Sequence, residues 1–511
     1  MPAKAAPRKT KTARVAVMAA ALTMAAPHLR ADEGMWTFDN LPVKLLKEHY
    51  GFTPTPQWIE HLQRASVRFN DGGSGSFVSK DGLILTNHHV ALGQLQKMST
   101  ARKDYVKDGF FARTAAEEIK CPDLEVNVLM SMENVTARVT GAVNLKASDK
   151  VQNDQRKAEI ARITKESADK TGLRSDVVDL YQGGEYWLYR YKKYTDMRLV
   201  MAPEIQAAFY GGDYDNFTYP RYALDFAFFR VYENGKPVHP EHFLKWSKDG
   251  AAEGELVFVT GHPGHTDRLM TVAQLEYERD YGLPLYLKVA GEKRKDYYDY
   301  SALGAEQARR SKDRIFGIEN AIKAVTGEYE GLLDPKLLDA KKADEAALRR
   351  AAPQAASAWD RIAAAQKKFG ERRLLTTYRR YDATKVAGIA NTIVRCVAET
   401  AKPNDKRWEE YRDSNLDSLR FRLFSPAPMY PDMEEFLLAR SLREALDALG
   451  PKDDFVKAAL DGRTPEAEAH ELIAGTRLFD PAVREALVKG GPKAVAESKD
   501  ALIVWARGLD P

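Results

Sequence analysis

Cysteine is scarce in this 511-residue chain, which has only Cys121 and Cys396. Neither residue has a neighbour at the short spacing of a zinc site or a redox motif, so a metal centre built on cysteine is excluded. A disulfide between them is permitted if the protein is exported. Because they are far apart in sequence and lie in different predicted domains, we expect two buried free thiols instead.

The sequence also lacks a strong charge of either sign. Its formal net charge is +4, but the first 31 residues carry six basic side chains and no acidic one. These are Lys4, Arg8, Lys9, Lys11, Arg14 and Arg30. Without them the chain has 71 basic and 73 acidic residues. That balance gives no reason to expect a nucleic-acid partner.

Long hydrophobic runs are missing except at the N-terminus. There an apolar run, Val15–Ala26, follows the basic stretch and precedes small residues, as in a secretory signal peptide. The run is too short for a permanent transmembrane helix. We therefore predict that residues 1–31 are a signal peptide cleaved near Ala25 or Ala31, and that the mature protein is periplasmic or secreted. An uncleaved membrane anchor is the alternative.

The rest of the chain has two regions with different sequence patterns. From about residue 67 to 275, short apolar runs alternate with glycine and proline, which predicts an antiparallel barrel or sandwich. The predicted strands include Val126–Met130, Arg198–Met201, Phe226–Tyr232 and Leu256–Gly261, and a charged helix, Ser148–Thr171, interrupts them. After about 275, Ala, Glu, Lys, Arg and Leu recur at helical spacing. The later predicted helices are Met433–Leu449, Phe455–Leu460, Pro465–Ala474 and Pro481–Lys489.

The most informative segment is Gly72–Val90, with the sequence GGSGSFVSKDGLILTNHHV. It predicts two short strands joined by a Lys-Asp-Gly turn and ending in a histidine. A histidine fixed at the end of a hairpin suits a general base. The arrangement resembles trypsin-like serine peptidases, in which a glycine-rich strand, a turn and a second strand lead to Thr-x-x-His. A surface hairpin with two incidental histidines is the alternative.

The two adjacent histidines need separating. Neighbouring residues of an extended chain point to opposite sides, so His88 and His89 are not expected to serve one site. The resemblance assigns the catalytic role to His89. We expect His88 to be a packed or hydrogen-bonded neighbour.

The candidate partner of His89 is Asp225, which opens an apolar segment. A carboxylate at the start of an apolar strand is costly to bury unless it is paired. In a catalytic triad that pairing exists, because the carboxylate accepts a hydrogen bond from the histidine and fixes its tautomer. Trypsin-like peptidases carry their acid in the same setting. A strand-end or turn aspartate is the alternative.

The segment Gly254–Gly264 resembles the first hairpin of a second barrel. It contains His262, and His265 follows in a His-Pro-Gly-His sequence that suggests a metal site. No convincing third ligand accompanies the two histidines, since Asp267 is the only nearby acidic residue. We therefore expect no metal and no other cofactor.

Four further motifs indicate which group of trypsin-like peptidases the chain resembles. They are Glu33–Pro42, Tyr186–Lys192, Phe209–Arg221 and Gly261–Thr266. In this order they resemble motifs of the bacterial dipeptidyl peptidase 7 and dipeptidyl peptidase 11 family, serine peptidase family 46. The similarity covers essentially the whole chain from residue 33.

The resemblance implies a β plus α fold class. It is a chymotrypsin-like double β-barrel, with its second barrel incomplete here, and a large inserted α-helical cap domain. We expect the first barrel and inter-barrel segment over residues 32–250, the start of the second barrel over 251–275 and the cap over 276–511. In the family the cap converts an endopeptidase fold into an exopeptidase that removes dipeptides from a free N-terminus.

The resemblance also implies a site for the substrate's α-amino group. Asn216 matches an asparagine of the family's Gly-Gly-Asp-x-Asp-Asn motif, and Asn320 matches a second one in an Asn-x-x-Lys setting. Neutral amide oxygens accept from an ammonium without the desolvation cost of a buried anion. Phe217 is included in this site, although it and Tyr219 stand where the family commonly has tryptophan. The alternatives are a turn asparagine for Asn216 and a surface helix residue for Asn320.

No nucleophile is assigned. The family serine lies in a Gly-Asn-Ser-Gly-Ser-Pro string, and no such string follows Asp225, while the serines of Gly73–Ser76 belong to the strand before His89. We therefore expect the N-terminal fragment of a serine-type dipeptidyl peptidase, inactive on its own. A noncatalytic secreted peptide-binding protein and a trypsin-like endopeptidase with a helical insert are the alternatives. The expected partners are peptides with a free N-terminus, with no nucleic acid and no permanent membrane span, and a homodimer is permitted.

Overall fold

A computed structural model describes residues 34–264 and 266–509 of the chain. The predicted signal peptide, residues 1–31, lies outside the described residues. Among the helices in this part, none has the length and apolarity needed to cross a membrane.

The first half of the described chain contains all eleven strands that the structure assigns. Its elements are α1 (Val43–Tyr50), α2 (Pro56–Ala65), β1 (Ser66–Phe69), β2 (Ser74–Phe77), β3 (Leu83–Thr86), α3 (His88–Met98), α4 (Tyr105–Asp108), β4 (Phe110–Phe111), β5 (Ile119–Lys120), β6 (Val126–Asn134), α5 (Thr136–Gly141), α6 (Asp149–Thr171), β7 (Arg174–Leu180), β8 (Glu185–Tyr194), β9 (Asp196–Ala202), β10 (Ala227–Glu233) and β11 (Lys236–Pro237).

The second half is helical. Its elements are α7 (Val272–Tyr277), α8 (Leu283–Ser301), α9 (Ala305–Leu333), α10 (Pro335–Ala351), α11 (Ala356–Tyr378), α12 (Lys385–Thr400), α13 (Asp413–Leu423), α14 (Pro431–Leu449), α15 (Asp454–Leu460), α16 (Pro465–Ala474), α17 (Pro481–Glu497) and α18 (Ala501–Leu509). Three of these helices, α10, α16 and α17, begin at a proline whose preceding Asp or Thr side chain accepts a backbone N–H of the first turn. Both features are typical of helix starts, since proline has no N–H to leave unpaired there.

The strands form one antiparallel sheet in the order β4-β9-β10-β3-β2-β1-β6-β8-β7, with β5 also paired to β9 and β11 to β10. The predicted hairpin is confirmed as β2 and β3. Gly82 of its turn has φ 70°, a conformation that favours glycine. The predicted strands over Val126–Met130, Arg198–Met201 and Phe226–Tyr232 correspond to β6, β9 and β10.

Separate apolar cores stabilise the sheet and the helices. The sheet core contains Val67, Ile84, Leu199, Phe229 and Val231, all 0% exposed. A helical core contains Val386, Ile393, Leu438, Leu502 and Ile503. Both cysteines are buried free thiols, as predicted. A mixed α/β fold with a large antiparallel sheet and many helices is therefore observed.

The described residues divide into two compact units. One comprises the described residues up to Ile59 together with Ser247–Val259, and the other comprises Glu60–Trp246 and the described residues from Thr260 onward. In the first unit, Phe52, Trp58 and Phe258 pack in a ring cluster with centroid separations of 5.0–5.5 Å. The second unit contains the sheet and the helices from α7 onward.

The strand predicted over Leu256–Gly261 is not formed, and that prediction was wrong. Val257 is 62% exposed and Val259 100% exposed. Within the described residues, no neighbouring strand pairs with this segment. Without such a partner its backbone gains no ladder hydrogen bonds, and β-branched residues alone do not make a strand.

Candidate active site

The pairing of β3 with β10 brings His89 and Asp225 together. Thr86 ends β3 and pairs with Ala227, the first residue of β10. His89 follows Thr86 closely, in the first turn of α3, and Asp225 precedes β10. Two side chains separated by 136 residues in sequence therefore meet at the same end of adjacent strands.

The Asp225 carboxylate contacts both the side chain and the backbone of His89. Nδ1 of His89 lies 2.7 Å from Oδ2 of Asp225, and the His89 backbone N–H donates to Oδ1 at 2.9 Å. The Asn87 amide also donates to Oδ2, at 3.2 Å. Because an ionised carboxylate can only accept, Nδ1 carries the hydrogen and Nε2 is left as the basic nitrogen. The geometry predicted from the sequence for this pair is present.

The electrostatics keep Asp225 ionised. Burial by itself raises the pKa of this carboxyl, but the hydrogen bonds from His89 and Asn87 outweigh it and hold the pKa below its ordinary value. A carboxylate that stays ionised at neutral pH both orients the imidazole and stabilises the imidazolium that forms when Nε2 takes a proton.

His88 and His89 are separated as expected, but for a different reason. The sequence predicted an extended chain at this point, whereas both residues lie in the first turn of α3. His88 is 0% exposed, and burial lowers its pKa. A helix turns by about 100° per residue, which is enough to direct one ring into the core and the other toward Asp225.

Asn216 and Asn320 are also brought together. Asn216 lies in the loop between β9 and β10 and is 1% exposed, and Asn320 lies on α9. The Asn216 amide group donates to the Asn320 amide oxygen at 2.8 Å and to the Gly211 carbonyl at 2.6 Å. Lys323 fixes the same loop to α9, because its ammonium donates to the Asp213 and Tyr214 carbonyls.

Phe217 lies differently from the two asparagines. It has a left-handed φ of 63°, and its side chain is 60% exposed. Its side chain is therefore open to solvent and is not buried as Asn216 is.

A stacked aromatic ring connects the two clusters. The Tyr210 ring lies 4.0 Å from the His89 imidazole, with an interplanar angle of 10°. Arg221 lies over the Tyr210 ring, 5.3 Å from its centroid, and donates to the Asn216 amide oxygen at 2.5 Å. The Tyr210 hydroxyl also interacts with the Asn320 side chain, and burial raises its pKa.

A histidine base held by a carboxylate is an arrangement found in peptidases, and the comparison with known families agrees. The family model described as Peptidase S46 matches residues 31–511. The chain belongs to the peptidase S46 family.

Curated relatives within the peptidase S46 family have peptidase names. The dipeptidyl-peptidase 7 of Capnocytophaga gingivalis is 30% identical over 356 residues, which is 65% of this chain and 48% of the relative. An Asp/Glu-specific dipeptidyl-peptidase of the same organism is 34% identical over 234 residues, covering 42% of this chain and 32% of the relative. The chain spans about half the length of the dipeptidyl-peptidase 7 relatives.

A solved structure shares the fold. The crystal structure of Porphyromonas endodontalis DPP11 in complex with the dipeptide Arg-Glu superposes with a TM-score of 0.69 at 21% sequence identity. The match covers 94% of this chain and 73% of that one. At this identity the likeness establishes the mixed α/β fold of this peptidase S46 chain and nothing finer.

Sequence reasoning missed three residues of the candidate site. Asn87, Tyr210 and Arg221 all contact a predicted residue, but none was assigned a role. Tyr210 and Arg221 lie inside the motif that carried Asn216, so the signal was present in the sequence. Which ring faces His89 depends on the path of the loop, and the motif alone does not give that path.

The remaining candidates do not join the site. The Ser74 hydroxyl accepts the His262 backbone N–H at 2.7 Å. In the described part of the chain no serine hydroxyl is hydrogen-bonded to His89, and no His, Cys, Asp and Glu cluster suited to a metal occurs. Burial, with the nearby Arg68, lowers the pKa of His262 to about 4. His265 lies outside the described residues.

Proposed function

We propose that this peptidase S46 chain carries the base, the orienting acid and the amine site of a serine-type dipeptidyl aminopeptidase. The observation that carries the proposal is the His89–Asp225 pair beside the hydrogen-bonded Asn216 and Asn320 amides, of which Asn216 is buried. The names of the relatives support the same activity, although the matches cover only 48% and 32% of their length. The activity proposed is therefore that of the whole protein.

The acid–base chemistry follows from the pair. Nε2 of His89 is free to accept the proton of an attacking serine hydroxyl and then to return it to the leaving amine. Asp225 holds the ring with Nδ1 protonated throughout. The serine itself is not assigned within these 511 residues.

The amide pair suits an ammonium. Each amide oxygen has two lone pairs. The Asn216 oxygen uses one for Arg221, and the Asn320 oxygen uses one for the Asn216 amide. One lone pair therefore remains on each oxygen, which provides two neutral acceptors for a substrate's α-ammonium. Phe217, which follows Asn216 in the chain, is the exposed apolar side chain proposed for the same site.

The spacing favours the release of two residues. The Tyr210 ring stacks on His89 and lies under Arg221, which donates to Asn216, so the base and the amine site are linked through one aromatic side chain. Two extended residues span about 7 Å. A peptide whose N-terminus occupies the amides would therefore present its second peptide bond near His89, and a dipeptide would leave.

The finer architecture belongs to the same proposal. In it, residues 32–250 form the first barrel with the inter-barrel segment, 251–275 open a second barrel, and 276–511 form the inserted helical cap. The separate sheet and helical cores support this division. A cleaved signal over residues 1–31, export to the periplasm or medium, and the absence of cofactors complete the proposal.

Matched peptides with free and acetylated N-termini test this function. Cleavage is followed by mass spectrometry on protein that includes any residues encoded after Pro511, and binding is followed by calorimetry on the 511-residue chain. We expect dipeptide release and binding only with the free amine, because acetylation removes the charge and two of the three donors. Asn320→Ala should weaken both, whereas Asn153→Ala, an exposed residue of α6, should change neither.

Each alternative gives a different result. Equal turnover of free and acetylated peptides would identify an endopeptidase with a helical insert. Binding of the free amine without any cleavage would identify a noncatalytic peptide-binding protein. Absence of binding to either peptide would contradict the amine site itself.

A further inference from the structure

The His89–Asp225 hydrogen bond leaves one motion of the imidazole unrestrained. A single N–H···O bond fixes the direction of the Nδ1–H vector, but the ring is still free to rock about that axis. Rocking moves Nε2, which lies on the far side of the ring. A general base needs that nitrogen in a fixed place, so a second constraint is required.

Tyr210 supplies a flat surface for the ring. Its centroid lies 4.0 Å from that of His89, with only 10° between the planes. A parallel contact of this kind opposes rotation of the imidazole out of its plane. The side chain of His89 is 31% exposed, so part of the ring faces solvent, which does not restrict its rotation.

Arg221 in turn holds Tyr210. The guanidinium lies within cation–π range of the ring, and three acceptors anchor it. These are the Asn216 amide oxygen at 2.5 Å, the Phe209 carbonyl at 2.8 Å and an Asp213 carboxylate oxygen at 3.1 Å. Three bonds in a planar fork leave the guanidinium little freedom.

Arg221 also shares an acceptor with the proposed substrate. The Asn216 oxygen that it occupies is one of the two proposed for the α-ammonium. Two cations at one oxygen repel each other. The guanidinium can move away from this oxygen, because it also has the Phe209 carbonyl and the Asp213 carboxylate as acceptors. Arrival of the ammonium would therefore shift Arg221, and with it the support of the Tyr210 ring.

We propose that Tyr210 and Arg221 are positioning residues. Tyr210 restricts rotation of the His89 imidazole out of its plane. Arg221 couples this restriction to the Asn216–Asn320 site, because it shifts when an ammonium binds there. The first part stands on the geometry alone. The second part rests on the proposed function, because it requires an ammonium at the amides.

The first experiment needs no ligand. In the 511-residue chain with labelled histidine, the Nδ1 proton of His89 gives a downfield resonance that His89→Gln removes. Tyr210→Leu should speed solvent exchange of this proton about threefold to tenfold, the equivalent of one aromatic contact. Tyr210→Phe keeps the ring and should retain the wild-type rate. Tyr232→Leu is the matched control, because that ring also carries an arginine, Arg198, at the far end of β10.

The second experiment adds the dipeptide Ala-Ala or N-acetyl-Ala-Ala. We expect Ala-Ala to shift the His89 resonance in the wild type and in Tyr210→Phe. The shift should be lost in Arg221→Met and in Tyr210→Leu, although both should still bind the dipeptide in calorimetry. The acetylated dipeptide should shift nothing.

The outcomes separate the two proposals. Unchanged proton exchange in Tyr210→Leu would overturn the positioning role, whatever the dipeptide does. Binding of Ala-Ala that leaves the wild-type His89 resonance in place would overturn the coupling and keep the amine site. Failure of Ala-Ala to bind would overturn the amine site and the coupling together, while the exchange result would still decide the role of Tyr210.

Discussion

The hairpin of β2 and β3 and the segment 251–264 begin from similar sequence and end differently. Both combine glycine with short β-branched and apolar runs. Ile84 of β3 pairs with strands on both sides and is 0% exposed. Val259, in the run predicted to form the opening strand of a second barrel, is 100% exposed.

The difference shows what a strand pattern does and does not specify. Alternating apolar residues indicate a capacity to pair, but the ladder needs a neighbour to supply its hydrogen bonds. β3 has two neighbours, and its end can therefore hold His89 against Asp225 with no ligand present. The position of His89 against Asp225 therefore depends on the pairing of β3 with both of its neighbouring strands.

The largest effect should come from breaking the pair that the completed strands hold. Asp225→Asn removes the charge that orients His89 and admits the wrong tautomer, so the proposed dipeptidyl-peptidase activity should fall about 10⁴-fold. Steady-state kinetics on a dipeptidyl substrate measure it. Asp81→Asn, at the exposed turn of the same hairpin, is the control and should keep nearly full activity. A loss of only a few-fold in Asp225→Asn would contradict its assigned role.

The two segments should also differ in how much their side chains stabilise the fold. Ile84→Ala should lower the free energy of unfolding by about 2–5 kcal/mol, because it opens a cavity in the sheet core. Val259→Ala should change it by no more than about 0.5 kcal/mol, since the side chain is fully exposed. Denaturant unfolding measures both. Similar losses at the two positions would mean that the segment around Val259 is packed after all.

Much of the site was readable from the sequence because short-range signals carried it. The β2–β3 hairpin, the acid before β10 and the helix starts at Pro465 and Pro481 each depend on local patterns, and the structure has all of them. The helical turn at His88 was missed, although Asn87, a favoured residue type for a helix N-cap, directly precedes it. The strand at Leu256–Gly261 was wrong because its formation depends on a partner and not on its own residues.

The contacts around Tyr210 show a second limit. Residues 209–221 were recognised as one motif, and Asn216 was selected from it. The stacking of Tyr210 on His89 and the hydrogen bonds of Arg221 depend on how the loop between β9 and β10 folds against α9. Such long-range placement is set by packing, which a pattern of residue types does not contain.

Glycine positions extend the comparison with a smaller effect. A Cβ on Gly75 in β2 would lie 2.7 Å from the Leu85 carbonyl oxygen and 2.9 Å from the Phe69 ring, whereas a Cβ on Gly264 meets nothing within 4 Å. Gly75→Ala should therefore cost about 1–3 kcal/mol through overpacking. Gly264→Ala should be neutral or slightly stabilising, because it only restricts the unfolded chain. Thermal unfolding measures the two variants, and an undisturbed Gly75→Ala would contradict close pairing of β2 with β3.

The smallest effect is a pH dependence that comes from the same pair. The pKa of Asp225 is lowered in the folded chain, with burial opposing and the His89 hydrogen bonds prevailing. A depressed pKa contributes stability that is fully present above the unfolded value, about 3.9, and is lost as the pH falls through the folded value. The stability advantage of the wild type over Asp225→Asn should therefore shrink below about pH 4. Urea unfolding between neutral and acidic pH measures it. In a His89→Gln background this acid loss should be smaller, because the side-chain hydrogen bond that lowers the pKa most is gone, while the backbone N–H of residue 89 and the Asn87 amide still donate to the carboxylate. If the acid loss kept its full size in that background, groups other than the His89 side chain would have to lower the pKa of Asp225. The His89–Asp225 hydrogen bond would then not be the source of this stability.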